Sequence, residues 1–488
     1  MARPTTSTGC QACRNMKKKC DKARLECARC KRGARKCPGY PPEPQTVFRS
    51  MNFSAAARAN KPTMLSLLSD SPQPFFIQPS TDIAQYAIAR FVYHFVEPPS
   101  IHGLPGYLDF LPTMLNSAEK SLQTSLLAAS LASLANVLGM QQLHTESKVQ
   151  YGRALRSLYA ALGDESTATA DHTLLAILLI QKYEVFTGNA DFRKDPHESA
   201  STAILRLRSP NYQELGNKSR SLARTVLLRK EIQAMDSRSK SDTQVGRGHV
   251  DSIHLVGASL RMSLRGVFES TTKLQACTAT QGEINSMPGT TLTEAWDFAA
   301  KVYSDLLAWP STLPPAWKAK THTLLPALLP TEGMVNRQGK IYLFTSVQYG
   351  AVWIAYLCSR IHLCQSLLQA HWFVHRQRRT WSGVAFTPPE DEVLETLHST
   401  VDDICASASF LLGDVDKDGR ISSAGTEKKS LGAFFLLRGV DVALSVDSLS
   451  SPQRRTILDI LRRIGTEYGI EGALKRRDNW LAQNPEWI

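Results

Sequence analysis

The sequence predicts an all-α protein in three parts: a small cysteine-rich unit over residues 1–40, a Pro-rich flexible linker over 41–80 and a large multi-helix body over 81–488. Three observations predict it. Beyond residue 80, apolar residues recur at spacings of three and four between helix-capping residues, and alternating strand patterns are scarce. Eight of the chain's 25 prolines fall within residues 38–80, too many for regular structure. Six of its ten cysteines lie between Cys10 and Cys37. With 488 residues and 43% hydrophobic content, the chain can build a core of several hundred residues, at about 150 residues per domain, and a wholly disordered chain is excluded.

Charge follows the same partition. Residues 1–40 hold twelve Lys and Arg against Asp21 and Glu26, a net +10, whereas the remaining 448 residues hold 45 against 42, a net +3. This points to a small polyanion-binding head on a nearly neutral body rather than to a uniformly basic protein. The N-terminus has no apolar stretch of the kind a secretory signal needs. Apolar runs such as 174–180 and 351–358 fall short of the roughly 18 residues of a membrane span, so a soluble intracellular chain with no membrane partner is expected. In a reducing compartment, clustered cysteines are metal ligands more often than disulfides.

Cys10, Cys13 and Cys20 form C-x2-C-x6-C, and Cys27, Cys30 and Cys37 repeat it seventeen residues later. Two structural zinc ions want four ligands each, so six thiolates suffice only if two of them bridge both metals; the duplication points to the corresponding residues Cys10 and Cys27. The competing reading is a disulfide scaffold, disfavoured by the absence of an export signal and the many lysines. A unit so poor in large apolar residues needs the metal for much of its stability. Arg14, Lys17, Lys18 and Lys19 follow the second cysteine, and Arg29, Lys31, Arg32, Arg35 and Lys36 surround the fifth. Such side chains donate to guanine O6 and N7 in the major groove and neutralise phosphate elsewhere. The second group reads as phosphate contacts that double as a nuclear import signal.

The run C-x2-C-R-x-x-K-K-K-C-D-x5-C-x2-C-x6-C resembles the fungal zinc binuclear cluster, the two-zinc, six-cysteine DNA-binding domain of fungal transcription factors. The resemblance implies one zinc on Cys10, Cys13, Cys20 and Cys27 and another on Cys27, Cys30, Cys37 and Cys10. It also implies a short Arg14–Lys19 helix that enters the major groove of double-stranded DNA and reads CGG-like triplets. Arg14, Lys17 and Lys19 match positions where the family carries basic residues, with Lys17 the candidate base contact. Met16 stands where the family has Arg or Lys, and Leu25 where it commonly has Pro.

In the body, Thr81 or Asp82 can cap a helix that carries Phe91, Phe95 and Val96 and that Pro98 and Pro99 end. Tyr151, Leu155, Leu158 and Leu162 fall at 4, 3, 4 spacing, one helical face. The stretch Tyr342–Leu368 is apolar almost all round, a central buried helix. Ser451 before Pro452 reads as N-cap and first turn of a helix whose Ile457, Leu461, Ile464 and Tyr468 repeat the 4, 3, 4 stripe and which Gly469 closes. Polar insertions around Asp236–Asp251 and Gly413–Ser430 read as surface loops. No sustained heptads follow the cysteines, so binding as a monomer and as a homodimer formed through the body are both open.

The block Gly106, Tyr107, Leu108, Asp109, Phe110, Leu111, Pro112, the Tyr151–Leu162 repeat, the run LLAILLIQKYEVFTG and the tail IGTEYGI resemble the fungal-specific transcription factor regulatory domain, in broken blocks over most of 81–475. In one further block His197 and Arg208 are present, but Lys194, Ala200 and Ser209 replace a Trp and two glycines. The resemblance implies regulation of activation through ligands, partners or dimer contacts.

Other constellations carry less. Asp414, Asp416, Asp418 and Gly419, with Ile421, reproduce the first half of an EF-hand loop, but Gly425 stands where the bidentate glutamate belongs, so a solvated interhelical turn is expected. His371 and His375 share a helix face without the adjoining Glu of a zinc protease; beside Arg376, Arg378 and Arg379 they read as an exposed basic helix end. Cys277, Cys358, Cys364 and Cys405 read as small buried apolar residues. The expected protein is a nuclear, sequence-specific transcription factor for RNA polymerase II genes, not an enzyme, with DNA and the transcription machinery or coactivators as partners. The alternative from another class is a helical metabolite-binding protein or enzyme carrying a zinc module, which a buried catalytic constellation would favour.

Overall fold

The computed structural model describes residues 10–16, 18–21, 23, 27–38, 82–100, 106–115, 119–190, 196–208, scattered positions between 219 and 278, 289–323, 333–376, 387–423 and 427–487. The linker expected over 41–80 and the surface loop expected around Asp236–Asp251 lie outside the described residues. Among the described residues the protein is all-α, about 74% of them helical. It divides into two compact units, Met1–Ser71 and Pro72–Ile488.

Among its described residues the first unit contains two five-residue helices, α1 (Gln11–Asn15) and α2 (Ala28–Arg32), offset by the same seventeen residues as the cysteine repeat. The second contains α3 (Ile83–Phe95), α4 (Leu111–Met114), α5 (Lys120–Leu138), α6 (Gln141–Leu162), α7 (Glu165–Ala168), α8 (Asp171–Phe186), α9 (Pro196–Arg208), α10 (Gly289–Thr312), α11 (Val347–Arg376), α12 (Glu390–Leu411), α13 (Ser430–Leu444), α14 (Ser451–Tyr468) and α15 (Glu471–Gln483). A small antiparallel ribbon pairs β1 (Lys320–His322) with β2 (Ile341–Leu343), Thr321 opposite Tyr342.

Two helices organise the body. α5, rich in Ala and Ser, is buried nearly all round because its small side chains let α6 and α8 approach closely. α11 is buried from Gln348 to His371 between α12 and α13. Both are long and apolar enough to cross a membrane, yet 67% of each such stretch is packed inside the body. α3, α8 and α13 meet through aromatic side chains: Phe95 lies 5.0 Å from Phe186 and 6.3 Å from Phe434, ring to ring. Each such buried aromatic contributes about 1.5–3 kcal/mol by area. Asn136 adds a polar tie, donating to Phe186 O and Gly469 O, both at 2.7 Å, and so joining the C-terminal ends of α8 and α14 to α5.

Several expectations need correction. Asp82 caps α3 through Ala84 N at 2.9 Å, and the helix stops at Phe95, before the prolines, where Glu97 pairs with Tyr107. In α6, Leu158 is buried, but Leu155 and Leu162 are exposed; the buried face runs through Leu143, Ser147, Gln150, Ala154 and Leu158. Small and polar residues turn inward there because α5 comes too close for a leucine stripe. Residues 341–343 are strand, and α11 starts only at Val347. The N-cap of α14 is Ser450 rather than Ser451, in a reciprocal capping box with Gln453, while Gly469 does close the helix at φ 67°. The turn after α12 is not solvated throughout: Asp414 is buried, paired with Arg463 and Lys428.

Candidate metal centre and nucleic-acid interface

In the first unit each half-repeat is built alike: a cysteine just before a one-turn helix, a second cysteine inside that turn, and a third returning from the following loop. Cys27 caps α2 and its sulfur accepts the Cys30 N–H at 3.3 Å. Ala28 N–H donates to both oxygens of Asp21, at 3.2 and 3.0 Å, so a carboxylate from the first half fixes the positive end of the second helix. Among the described residues the interior consists of the sulfurs themselves: Cys10, Cys13, Cys27 and Cys30 are buried, with Ala12, Cys20 and Cys37 packed against them.

Four of the six sulfurs, from Cys10, Cys13, Cys20 and Cys27, lie within 4.8 Å of one another, and so do those of Cys10, Cys27, Cys30 and Cys37. The two groups share Cys10 and Cys27. Sulfur pairs Cys10–Cys27 and Cys13–Cys27 are 3.7 Å apart and Cys10–Cys30 3.9 Å. A tetrahedral zinc with Zn–S bonds of about 2.3 Å places its sulfurs about 3.8 Å apart. None of the six is joined in a disulfide, and separations of 3.7–3.9 Å lie far beyond a disulfide's S–S bond of about 2.05 Å. Burial, with the thiols of Cys10 and Cys27 alongside, lifts Cys13 well above the ordinary thiol range, and crowding by Cys27 together with burial pushes Cys30 up to about 12. Six sulfurs so confined are costly thiolates unless divalent cations sit among them; the donor set fits two such ions.

The cations meet the expectations unevenly. Lys18 and Lys19 are exposed but not helical: α1 ends at Asn15, Met16 forms a turn, and Lys18 N–H closes onto Cys13 O at 3.0 Å. The expected helix over 14–19 is therefore shorter, because the chain must turn back to deliver Cys20 to the sulfurs. Lys17 and the side chain of Arg14 lie outside the described residues. Arg29, Lys31, Arg32, Arg35 and Lys36 are all exposed. Arg35 reaches the end of α1, its Nη1 2.9 Å from Met16 Sδ, a contact between half-repeats that no spacing announces.

In the body, Glu184 joins three helices: its Oε1 accepts the Tyr151 hydroxyl at 2.8 Å and lies 2.9 Å from His197 Nε2. Arg208 pairs with Asp171 at 2.7 Å. Lys182, buried, donates to the Tyr107 hydroxyl and lies 4.0 Å above the Phe434 ring. Cys358, Cys364 and Cys405 are buried and Cys277 half-buried. His371 is buried rather than exposed, its Nε2 donating to Pro388 O at 3.0 Å, because the segment before α12 folds over it. His375 remains exposed, and Arg378 and Arg379 lie outside the described residues.

Residues 100–235 match the family model of the fungal specific transcription factor domain. No curated protein and no solved structure matches the chain. The matched stretch holds the 106–112 block, α6, α8 and the Glu184, His197 and Arg208 contacts, and stops short of the wider 81–475 span; it does not reach the cysteines. It supports a regulatory domain and a protein of transcription regulation.

Proposed function

We propose that the chain is a nuclear transcription factor of RNA polymerase II genes. In this reading a two-zinc head over 1–40 binds double-stranded DNA, a linker over 41–80 follows, and the body over 81–488 conveys regulation to the transcription machinery or coactivators. The observation that carries it is the pair of four-sulfur groups sharing Cys10 and Cys27, set within a basic rim. Cys10, Cys13, Cys20, Cys27, Cys30 and Cys37 would hold two zinc ions, whose role is to fold the head. Arg14, Lys17, Lys18 and Lys19 present the base-reading edge, with CGG-like triplets as its target, and Arg29, Lys31 and Arg32 take phosphates. The matched domain points to regulation rather than catalysis. Selection of random duplexes on the zinc-loaded full chain tests the reading. Enrichment of CGG-like triplets, singly or in pairs, is the expected result, and the spacing separates monomer from homodimer; a pool with no enriched motif would overturn sequence-specific binding.

A further inference from the structure

The end of α11 and the start of α12 bring together three side chains that DNA binding does not use. His371 and His375 lie about one turn apart on α11, and Glu390 opens α12; one ligand atom from each lies within 4.8 Å of the others. His375 Nε2 stands 3.2 Å from a Glu390 oxygen. Zinc bonds to nitrogen and oxygen of about 2.0–2.1 Å put neighbouring tetrahedral ligands about 3.4 Å apart, so this pair already has a metal's spacing.

The inner histidine is fixed from two sides. A carbonyl oxygen can only accept, so the 3.0 Å contact to Pro388 O assigns the ring proton of neutral His371 to Nε2, and Nδ1 is then the nitrogen that an ion here would have to use. Trp296 packs edge-on against the same ring at 4.5 Å and donates its indole N–H to Thr387 O at 2.8 Å. One tryptophan thus holds both the imidazole and the backbone that orients it. A second ring nitrogen donating to a carbonyl is the usual way a metal-ligating histidine is aimed. His375 and Glu390, 56% and 48% exposed, leave an open path for an ion.

We propose that His371, His375 and Glu390 form a surface site for one zinc ion, separate from the cysteines, that clips the end of α11 to the start of α12. Two imidazoles and a carboxylate suit zinc and its borderline neighbours; calcium and magnesium demand more oxygens. The sequence hid the site because Glu390 lies beyond any helical spacing from the histidines.

Calorimetric titration of the full chain with zinc, after equilibration in a buffer that fills only the tightest sites, reads it directly. One further zinc per chain is expected, along with a zinc-dependent rise in melting temperature. His375→Ala and Glu390→Gln should each weaken that binding about tenfold or more and remove the rise. Both side chains are half-exposed, so circular dichroism should show these variants folded. A chain with its six N-terminal cysteines changed to serine should keep the further zinc, which separates this site from the head. No zinc beyond that lost with the cysteines, or variants that titrate as the wild type does, would overturn the proposal and leave an ion pair beside a structural histidine.

Discussion

Asp414 was the first residue of an apparent calcium loop, and its surroundings show why the loop is something else. Its carboxylate is buried against Arg463 at 2.9 and 3.0 Å and takes Lys428 at 2.6 Å, while Glu467 grips the same guanidinium at 2.8 and 3.0 Å. Asp416 instead caps the turn through the N–H groups of Asp418 and Arg420, both at 2.9 Å. Burial works against the charge on Arg463, but Asp414 and Glu467 overcome it and hold the group above its usual range. Removing the guanidinium leaves the buried Asp414 carboxylate to the half-exposed Lys428, so Arg463→Met should cost about 3 kcal/mol in urea unfolding. Calcium should give no saturable heat from residues 414–419. None of this was legible, because the partner on α14 lies far along the chain. His94 makes a second case. Ser430 N–H faces its Nδ1 at 3.3 Å and Glu427 its Nε2 at 2.9 Å. Burial lowers its pKa; Glu427 opposes this, and Arg90 and Lys429 add to it. With a folded pKa below the unfolded value of about 6.5, the unfolded chain binds the proton first, so stability from this group is complete above about pH 6.5 and is lost as pH falls below it. His94→Asn, whose side-chain oxygen can still take the Ser430 N–H, should flatten that part of the stability–pH curve.

At the scale of elements, what the sequence disclosed was local and what it concealed was contact. Asp82, Gly469 and the Ile457, Leu461, Ile464, Tyr468 stripe are visible because caps and helical periods depend on neighbours within one or two turns, and all four stripe residues are buried. The inward face of α6 was not visible, since Ser147, Gln150 and Ala154 point inward only because α5 is narrow. Ser450 escaped by one residue; Gln453, its capping-box partner, was the available signal. Ser450→Ala should cost about 1 kcal/mol, read as a small fall in melting temperature. Gly432 marks the opposite extreme: a Cβ there would sit 2.0 Å from the Leu411 carbonyl oxygen. Backbone cannot swing aside as a side chain can, so Gly432→Ala should cost about 3 kcal/mol by prising α13 from the end of α12. If the two variants were equally mild under calorimetry, this close approach would be wrong.

Over the whole molecule, two kinds of stability stand side by side. The body rests on burial of many apolar side chains across thirteen described helices, whereas among the described residues of the first unit the interior is its own cysteines with one alanine. Too little apolar area is buried there to offset the backbone entropy of folding, at about 1–2 kcal/mol per residue. This is also why the sulfur groups were so legible and the reading edge was not. The cysteine spacing is written in the sequence, but bringing Cys20 back to the other sulfurs ends α1 at Asn15 and leaves Lys18 and Lys19 outside the helix, a consequence no helical period predicts. It follows that the two units should fail independently. Strong chelation of the full chain should abolish DNA binding while the helical far-ultraviolet signal of the body and its cooperative melt persist. Heating past the body's transition in excess zinc should leave the metal on the cysteines. Binding before chelation should weaken steeply with salt, because the exposed Lys and Arg release counterions from phosphate. Undiminished DNA binding by a verified metal-free chain would show that the sulfurs do not organise the basic rim, and the head would then have to fold by some means its sequence does not contain.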